Sequence, residues 1–357
     1  MDNKLTILQW NCQGMQAKFE SLKIIIKDKF PICISLQETM LGQKVLCPKD
    51  YAFYHTDFDE ERGNHGGSAL LVRHDLPHTR IPLQTELEAV AVQVYTKRKY
   101  TLCSIYIPPS NRMNANLAQN LNHLIHQLPR PFVLMGDFNG RHPMWGDCIC
   151  NSRGNIIYPF IEDEELAILN TGEATHFHVQ TGTLSTIDLS LCSPDCFLDF
   201  TWEIMDDLLG SDHFPIILNI VGEIVTPRSP RWNLDKANWA LFTTLTQLEV
   251  NVDDFLTVDD ALDFLHEIII NAGLKAIPRS SGKFKRKPVP WWNLQCRIAH
   301  KAMRAAFTRY RRNKYPYYLI SFKKARARFR YVIKQAKRQS WINFLSTVNW
   351  KTSISEV

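Results

Sequence analysis

The sequence has no long apolar run, no signal-like start and no paired cysteine motif. Its longest apolar stretches, such as residues 132–135, have the length of a strand, whereas a membrane-spanning helix needs roughly 18 to 20 apolar residues. The first residues lack the basic-then-apolar order of a secretory signal. The nine cysteines are scattered without the spacing of zinc ligands. We therefore expect reduced thiols, a reducing compartment and no membrane segment.

Acidic residues are almost missing from the last part of the chain. From Lys275 onward there are 22 of the 42 Lys and Arg residues but one of the 36 Asp and Glu residues, Glu356. The preceding part is net acidic, with 20 basic against 35 acidic residues, although the net charge of the chain is +6. This asymmetry is typical of a carboxylate-using catalytic domain joined to a segment that binds a polyanion.

Short apolar runs alternate with amphipathic stretches up to residue 222. Apolar residues at helical spacing around Leu22, Leu121 and Phe160 predict three helices. The predicted strands are 5–10, 32–36, 68–72, 89–95, 101–107, 132–135, 187–191 and 215–220. We therefore predict an α/β (α+β) domain over residues 1–222, in which sheets and helices form layers.

Strand-like runs largely disappear after residue 222. We interpret 223–290 as a linker with helices and 291–357 as a basic helical segment, whose apolar stripe is broken near Pro316. Within residues 223–290 we expect a linker at 225–230, helices at 239–248 and 260–272, and a Pro- and Lys/Arg-rich connector at 278–290.

Polar side chains stand at the ends of five predicted strands. They are Asn11, Glu38, Asp137 with Asn139, Asp188 and His213. Because strand ends in a sheet lie side by side, distant residues can converge on one site there. Asp137 and Asn139 alternate with Phe138 and so face the same side, while Gly136 permits a close backbone approach.

These residue types suit the hydrolysis of a phosphodiester, which needs a positioned water, a Lewis acid and support for the departing oxygen. Asp137 is expected to orient or deprotonate the water, with Asn139 beside it. Glu38 is a hard-oxygen ligand suited to Mg²⁺, and Mn²⁺ accepts the same ligands. His213 is expected to bind or protonate a phosphate oxygen, with Asp188 fixing its tautomer and raising its pKa.

Each motif taken alone also has a structural interpretation. Residues 136–139 could form a tight turn, residues 211–213 a loop or helix cap, and Glu38 a solvated strand terminus. Their occurrence together in one domain, each beside an apolar run, favours a catalytic site.

The ordered motifs resemble those of the endonuclease/exonuclease/phosphatase superfamily, particularly the apurinic-type endonucleases of Jockey-like non-LTR (LINE-type) retrotransposons. The resemblance is carried by Trp10–Asn11, Leu36–Glu38, Tyr106–Pro109, Gly136–Asn139, Thr186–Asp188 and Ser211–His213. Residues 136–146 and 152–154 are similar to that branch's extension. The resemblance covers about residues 4–221.

The resemblance implies a four-layer sandwich of two mixed β-sheets flanked by helices. It also implies a metal-dependent endonuclease that nicks duplex DNA, leaving a 3′-hydroxyl and a 5′-phosphate, for target-primed retrotransposition. The implied site has Asn11, Glu38 and Asp212 at the metal, Asp137, Asn139, Asp188, His213 and Tyr106 in catalysis, and Thr175 and Ser185 at the DNA backbone. Arg141 and Trp145 of the extension are further candidates for DNA contact, although core packing is the first interpretation of the large, apolar Trp145.

Gln13 stands where related repair enzymes usually have an Asp, which leaves open whether one or two metals bind. The basic segment is either a solvated face or a binding site for nucleic acid, including the element's RNA. In Jockey-like polyproteins a segment similar to residues 290–293 precedes the reverse transcriptase. We therefore expect a fragment that ends before the polymerase, acts in the nucleus and needs no small-molecule cofactor.

Two other functions stay open. An abasic-site repair nuclease or a superfamily phosphatase would use the same motifs, although residues 136–146 and the basic appendage argue against both. A decayed element that binds nucleic acid without cleaving it is the second alternative, and the complete motif set argues against it.

Overall fold

The protein is described by a computed structural model over residues 4–42, 45–56, 66–109, 116–224, 232–247, 257–279 and 290–347. It forms two compact units, residues 1–224 with 288–357 and residues 225–287. The basic segment, treated as separate in the sequence, thus belongs to the same unit as the sheet domain. The predicted linker at 225–230 and most of the connector at 278–290 lie outside the described residues.

Two six-stranded mixed sheets form the centre of the first unit. The first contains β1 (Lys4–Asn11), β2 (Cys33–Gln37), β3 (Tyr51–His55), β4 (Ser68–Arg73), β13 (Phe200–Ile204) and β14 (Ile216–Ile224), in the order β13-β14-β1-β2-β4-β3. The second contains β5 (His78–Ile81), β6 (Glu88–Tyr95), β7 (Lys99–Tyr106), β8 (Phe132–Asp137), β9 (Ala167–Ile168) and β12 (Asp188–Cys192), in the order β5-β6-β7-β8-β12-β9. In each sheet one pair is parallel, β1 with β2 and β7 with β8.

Helices cover the outer faces of both sheets. Helix α1 (Phe19–Lys29) buries Leu22, Ile25 and Ile26 in one core cluster with residues of β1 and β2. Helices α2 (Leu117–Ile125) and α3 (Gly154–Asp163) bury their apolar faces in the core cluster of the second sheet. The predicted four-layer sandwich is therefore confirmed, because burying these apolar faces is what holds the layers together.

Buried polar side chains join the two sheets behind the strand ends. Gln9 of β1 donates from Nε2 to the carbonyls of Gly136 and Leu189, both at 3.1 Å. Its Oε1 accepts from Ser190 Oγ at 2.6 Å. A β-carbon at Gly136 would lie 2.0 Å from the carbonyl oxygen of Ile105, so only glycine fits there. These contacts fix β1 against β8 and β12.

All eight predicted strands are present, but six further strands were not predicted. The edge strand β5 and the hairpin of β10 (His176–His178) and β11 (Thr183–Ser185) are short and partly exposed, so they lack a strong apolar signal. All nine cysteines are free. Among the described residues, no helix combines the length and apolarity needed to cross a bilayer.

The helices beyond the sheets largely follow the sequence. In the second unit, α4 (Trp239–Thr246) and α5 (Val258–Ala276) match the two predicted helices. In the first unit, α6 (Leu294–Asn313) is followed by α7 (Pro316–Thr347), which begins at the predicted break.

The apolar stripe of α6 and α7 packs against the β10–β11 hairpin. Phe177 of β10 forms one core cluster with Phe307 of α6 and Phe322 of α7. Tyr310 Oη donates to the carbonyl of Gly182 at 2.6 Å. The helices therefore contribute to the core of the sheet domain, a packing that the sequence did not predict.

Candidate active site

The ends of β1, β2, β7, β8 and β12 meet at one edge of the sandwich. Register across the second sheet places Asp137 beside both Tyr106 and Asp188. Asn11, at the end of β1, pairs with Gln37, next to Glu38. His213 lies just before β14, and Trp10 Nε1 donates to the carbonyl oxygen of His213 at 3.2 Å. The residues predicted from strand ends therefore converge, as expected.

Asn11 connects the two sheets at the site. Its Nδ2 donates to Glu38 Oε1 at 3.1 Å and to Asp137 Oδ2 at 2.9 Å. Tyr106 Oη donates to the same Glu38 oxygen at 3.1 Å. Glu38 has a φ of +47°, in the left-handed region, and its carbonyl accepts from Gly14 N at 2.8 Å. Such local strain is common where a side chain must point into a site.

Asp137 is a buried carboxylate held by its neighbours. It accepts from the backbone N–H of Asn139 at 2.9 Å and from Asn139 Nδ2 at 3.2 Å. Burial and the charge of Asp188 raise the pKa of Asp137 to about 7, although the nearby His213 acts in the opposite direction. A base with a pKa near neutrality is well matched to deprotonating water.

His213 and Asp188 form a buried pair. His213 Nδ1 lies 2.8 and 3.0 Å from the two oxygens of Asp188. Burial alone would lower the pKa of His213. The charge and hydrogen bond of Asp188, together with the charges of Asp137 and Asp212, outweigh burial and raise the pKa of His213 to about 10. The imidazole is therefore protonated at neutral pH, and its Nε2, 4.0 Å from Asp137 Oδ2, is a donor.

His176 belongs to the site and was not predicted as part of it. It forms a β-bridge with His213, and their ring centroids are 4.7 Å apart. Its Nδ1 is 3.0 Å from Ser185 Oγ and its Nε2 is 3.8 Å from Asp212 Oδ2. Burial would raise the pKa of Asp212, but His176 and His213 lower it to about 2. In the sequence nothing separates His176 from the exposed His178.

Arg153 is a second residue whose role the sequence did not reveal. It is buried, and its Nη1 donates to the carbonyl of Pro108 at 2.6 Å, in the segment that follows Tyr106. Burial lowers the pKa of Arg153, whereas the charge of Asp137 raises it. Arg153 therefore supports the wall of the site that carries Tyr106.

The structure corrects two of the four predicted DNA contacts. Thr175 is fully buried, and its hydroxyl accepts from the backbone N–H of Asp188 at 3.1 Å, so it orients Asp188. Trp145 is also buried and donates to the carbonyl of Thr186 at 3.1 Å, which is the core-packing alternative. Both side chains point into the protein, where they bond backbone groups of residues 186–188.

The other two predicted DNA contacts are partly exposed. Arg141 forms an ion pair with Asp147 at 2.9 Å, and the hydroxyl of Ser185 is bonded to His176. Their contact with DNA stays a prediction.

The donor set suits a hard divalent cation held by oxygen. Glu38 supplies a carboxylate beside the amide of Asn11, and within the described residues Asp212 Oδ1 is buried without a hydrogen-bond partner. His213 belongs to both groups of His and acid side chains close enough to share an ion. Carboxylate and amide oxygens are the ligands that a hard cation such as Mg²⁺ prefers.

Gln13, which stands where related repair enzymes usually have an Asp, lies beside Asp212. Its Nε2 donates to Asp212 Oδ2 at 3.0 Å. An amide donor therefore already satisfies this oxygen of Asp212.

Sequence comparison shows that the chain is similar to proteins of mobile elements. Residues 100–217 match the family described as endonuclease-reverse transcriptase. The chain is 25% identical over 287 residues to the RNA-directed DNA polymerase from mobile element jockey of Drosophila melanogaster, covering 77% of this chain and 31% of that protein. It is 28% identical over 287 residues to the probable RNA-directed DNA polymerase from transposon BS of the same organism, covering 76% and 31%. The chain thus spans about a third of the length of these relatives.

Solved structures show the same fold. The endonuclease domain of TRAS1, a telomere-specific non-LTR retrotransposon, superposes with a TM-score of 0.52 at 24% identity, covering 61% of this chain and 98% of that one. An AP endonuclease from Archaeoglobus fulgidus superposes with a TM-score of 0.50 at 13% identity, covering 61% and 99%.

Fold and site together indicate a phosphodiester hydrolase, and residues 100–217 match an endonuclease family. In sequence the chain is similar to proteins of Jockey-type mobile elements, and in fold it is similar to the endonuclease domain of a non-LTR retrotransposon.

Proposed function

We propose that the protein is a Mg²⁺-dependent endonuclease that nicks one strand of duplex DNA for target-primed retrotransposition. The observation that carries the proposal is the buried Asp137, whose pKa is raised to about 7, within 4.0 Å of the protonated His213. A base and a proton donor at this separation can contact the same phosphate group, the base through the attacking water and the donor through a non-bridging oxygen.

In the proposed reaction, the water oxygen bonds to phosphorus as the bond between phosphorus and O3′ breaks. Asp137 takes the proton of the water, and the amide of Asn139, bonded to Asp137 at 3.2 Å, keeps that carboxylate oriented. The O3′ atom leaves with a proton from solvent, which gives a 3′-hydroxyl and a 5′-phosphate. Such a 3′-hydroxyl can prime DNA synthesis.

His213 stabilises the charge that develops on the phosphate. Its Nδ1–H is fixed by Asp188, so Nε2–H is directed towards the space beside Asp137. A preformed charged donor in a buried site is among the strongest contributors to catalysis. We assign Tyr106, which donates to Glu38 at 3.1 Å, to positioning the phosphate and the metal ligand.

Glu38, Asn11 and Asp212 would hold the cation, which supplies Lewis-acid stabilisation of the phosphoryl oxygens. The hard oxygen donors suit Mg²⁺, and Mn²⁺ accepts the same ligands. We also propose that the active protein works in the nucleus, where its DNA target is found.

The proposal is tested by incubating the purified protein with supercoiled plasmid and Mg²⁺, beside an EDTA control. Conversion to open circle that EDTA abolishes, with 3′-hydroxyl ends at the nicks, is the expected result. An oligonucleotide duplex with one abasic site tests the alternative: cleavage confined to that site would establish a repair nuclease instead. A folded protein that binds DNA but cleaves no substrate in Mg²⁺ or Mn²⁺ would contradict the proposal.

A further inference from the structure

Basic residues of α7 line a cavity beside the candidate site. The cavity has a volume of about 410 Å³, is partly open to solvent, and is lined by α1, residues 206–210, α6 and α7, with an apolar floor and cations around it. Six cations line its wall, and three of them interact with one another: Lys18, just before α1, and Arg326 and Arg330 on α7. We call them the cation row.

The cation row adjoins the loop that carries Asp212. A β-carbon added at Gly210, two residues before Asp212, would lie 3.3 Å from Lys18 Cε. Lys18 Nζ is 3.4 Å from the carbonyl oxygen of Gln13, whose side chain binds Asp212. The charge of Asp212 also reaches Arg326, where it opposes the effect of burial on the pKa.

Within the described residues, the cation row makes no ion pair. Burial lowers the pKa of Lys18 and of Arg326, and the positive charge of Arg330 adds to both decreases. The carboxylates on the cavity wall are engaged elsewhere: Glu20 with Lys23, Asp206 with Arg304 and Arg311, and Asp207 with His300. Like charges held together without a counter-ion repel each other, which favours an anionic ligand.

We propose that Lys18, Arg326 and Arg330 bind backbone phosphates of the DNA next to the scissile bond, which makes α7 part of the nuclease's substrate-binding face. This inference rests on the proposed function. Arginine presents a planar fork of donors that matches a phosphate, and contacts of this kind position a duplex without reading its sequence. Duplex DNA is favoured over RNA because the cation row adjoins the loop of Asp212, where the proposed nuclease would hold its DNA substrate.

The same helix offers a matched control. Lys324 and Arg328 are exposed on α7, do not line the cavity, and lie two positions from Arg326 and Arg330. Two residues on a helix are about 200° apart, so the control pair points away from the cavity. Two double variants therefore lose the same charge from opposite faces of α7: Arg326→Gln/Arg330→Gln from the cavity face and Lys324→Gln/Arg328→Gln from the other face.

The first readout is duplex binding in EDTA, measured by fluorescence anisotropy over a range of salt concentrations. Each lost phosphate contact reduces the slope of log K against log salt by about 0.9, so the cavity-facing variant should lose about 1.8. Between 50 and 200 mM salt such a slope corresponds to about a tenfold change in affinity. The control variant should retain the wild-type slope, and circular dichroism checks that both variants fold.

The second readout is plasmid nicking. The cavity-facing variant should show a raised KM, with an unchanged rate at saturating DNA. Equal loss in both variants, no loss in either, or a loss confined to single-stranded RNA would overturn the proposal. The proposed function fails separately, if the wild-type protein does not nick, because the binding experiment needs no cleavage.

Discussion

The catalytic cluster and the cation row hold their charges in opposite ways. Asp137, Asp188 and His213 are nearly inaccessible to solvent, and each is bonded to a neighbour. The cation row is more exposed and has no carboxylate partner in the described part of the chain. Fixed, desolvated charges suit chemistry on one phosphate, whereas accessible, unpaired cations suit a backbone that must slide past in any sequence. Substitutions in the catalytic cluster should therefore slow nicking, and substitutions in the cation row should weaken the binding of DNA.

The largest effect is expected in the cluster. His213→Ala should reduce the single-turnover rate of nicking by about 10²- to 10⁴-fold, because the protonated donor beside Asp137 is lost. His178→Ala is the matched control, since His178 is exposed on the neighbouring hairpin. A His213→Ala protein that binds DNA less tightly but nicks it at the wild-type rate would contradict the catalytic role of His213.

The helical segment should also matter for stability. Phe307 of α6 is 4% exposed and packs against Phe177 and Phe322. Phe307→Ala should lower the free energy of unfolding by about 3–5 kcal/mol, measured by urea denaturation. Leu345→Ala, on an exposed position of α7, should change it by less than about 0.5 kcal/mol. Equal effects would mean that α6 is not part of the domain core.

The pH dependence of nicking should report on the catalytic cluster and not on the cation row. The pKa of His213 is raised to about 10, so its pairing stabilises the fold fully below the unfolded value of about 6.5 and is lost as pH rises through 10. Asp137 becomes a base as pH rises through about 7. Nicking should therefore rise through pH 7 and fall near 10.

Asp188→Asn should move the alkaline fall of nicking to lower pH, because the main group that raises the pKa of His213 is removed. The Arg326→Gln/Arg330→Gln protein, measured at saturating DNA, should keep the wild-type pH profile. An unchanged profile in Asp188→Asn would contradict the assigned role of the pair.

A smaller effect is expected at Gln13. Gln13→Asp places a carboxylate where an amide now donates to Asp212. Repulsion between the two carboxylates should lower the melting temperature in EDTA, and Mg²⁺ should restore it. A Mg²⁺ titration should give half-maximal nicking at a concentration lower by about a fewfold, since carboxylate count tunes affinity. Gln13→Asn is the uncharged control, and identical titrations for both would argue against a metal near Asp212.

The strand ends made much of the site predictable. Asn11, Glu38, Asp137 and Asp188 each follow or begin an apolar run, and sheet pairing brings such ends together. His176 could not be found this way, because its role depends on a bridge to His213 across a short, partly exposed hairpin.

The burial of Thr175 was equally hidden, whereas core packing of Trp145 was one of the two interpretations that its sequence allowed. The hydroxyl of Thr175 and the indole of Trp145 each satisfy backbone groups of a distant loop. A motif records which residue is present but not which way it faces. The docking of α6 and α7 was hidden for the same reason, since an apolar stripe predicts that a face is buried without naming what it packs against.

The most direct test of the account compares the single-turnover nicking rates of the wild-type, Asp137→Asn and Asp163→Asn proteins in Mg²⁺. Asp163 is exposed at the end of α3 and supplies a control carboxylate. The account predicts a loss of about 10²-fold or more for Asp137→Asn, with DNA affinity retained, and a wild-type rate for Asp163→Asn. Nicking by Asp137→Asn at the wild-type rate would contradict the assignment of this strand-end cluster as the catalytic site.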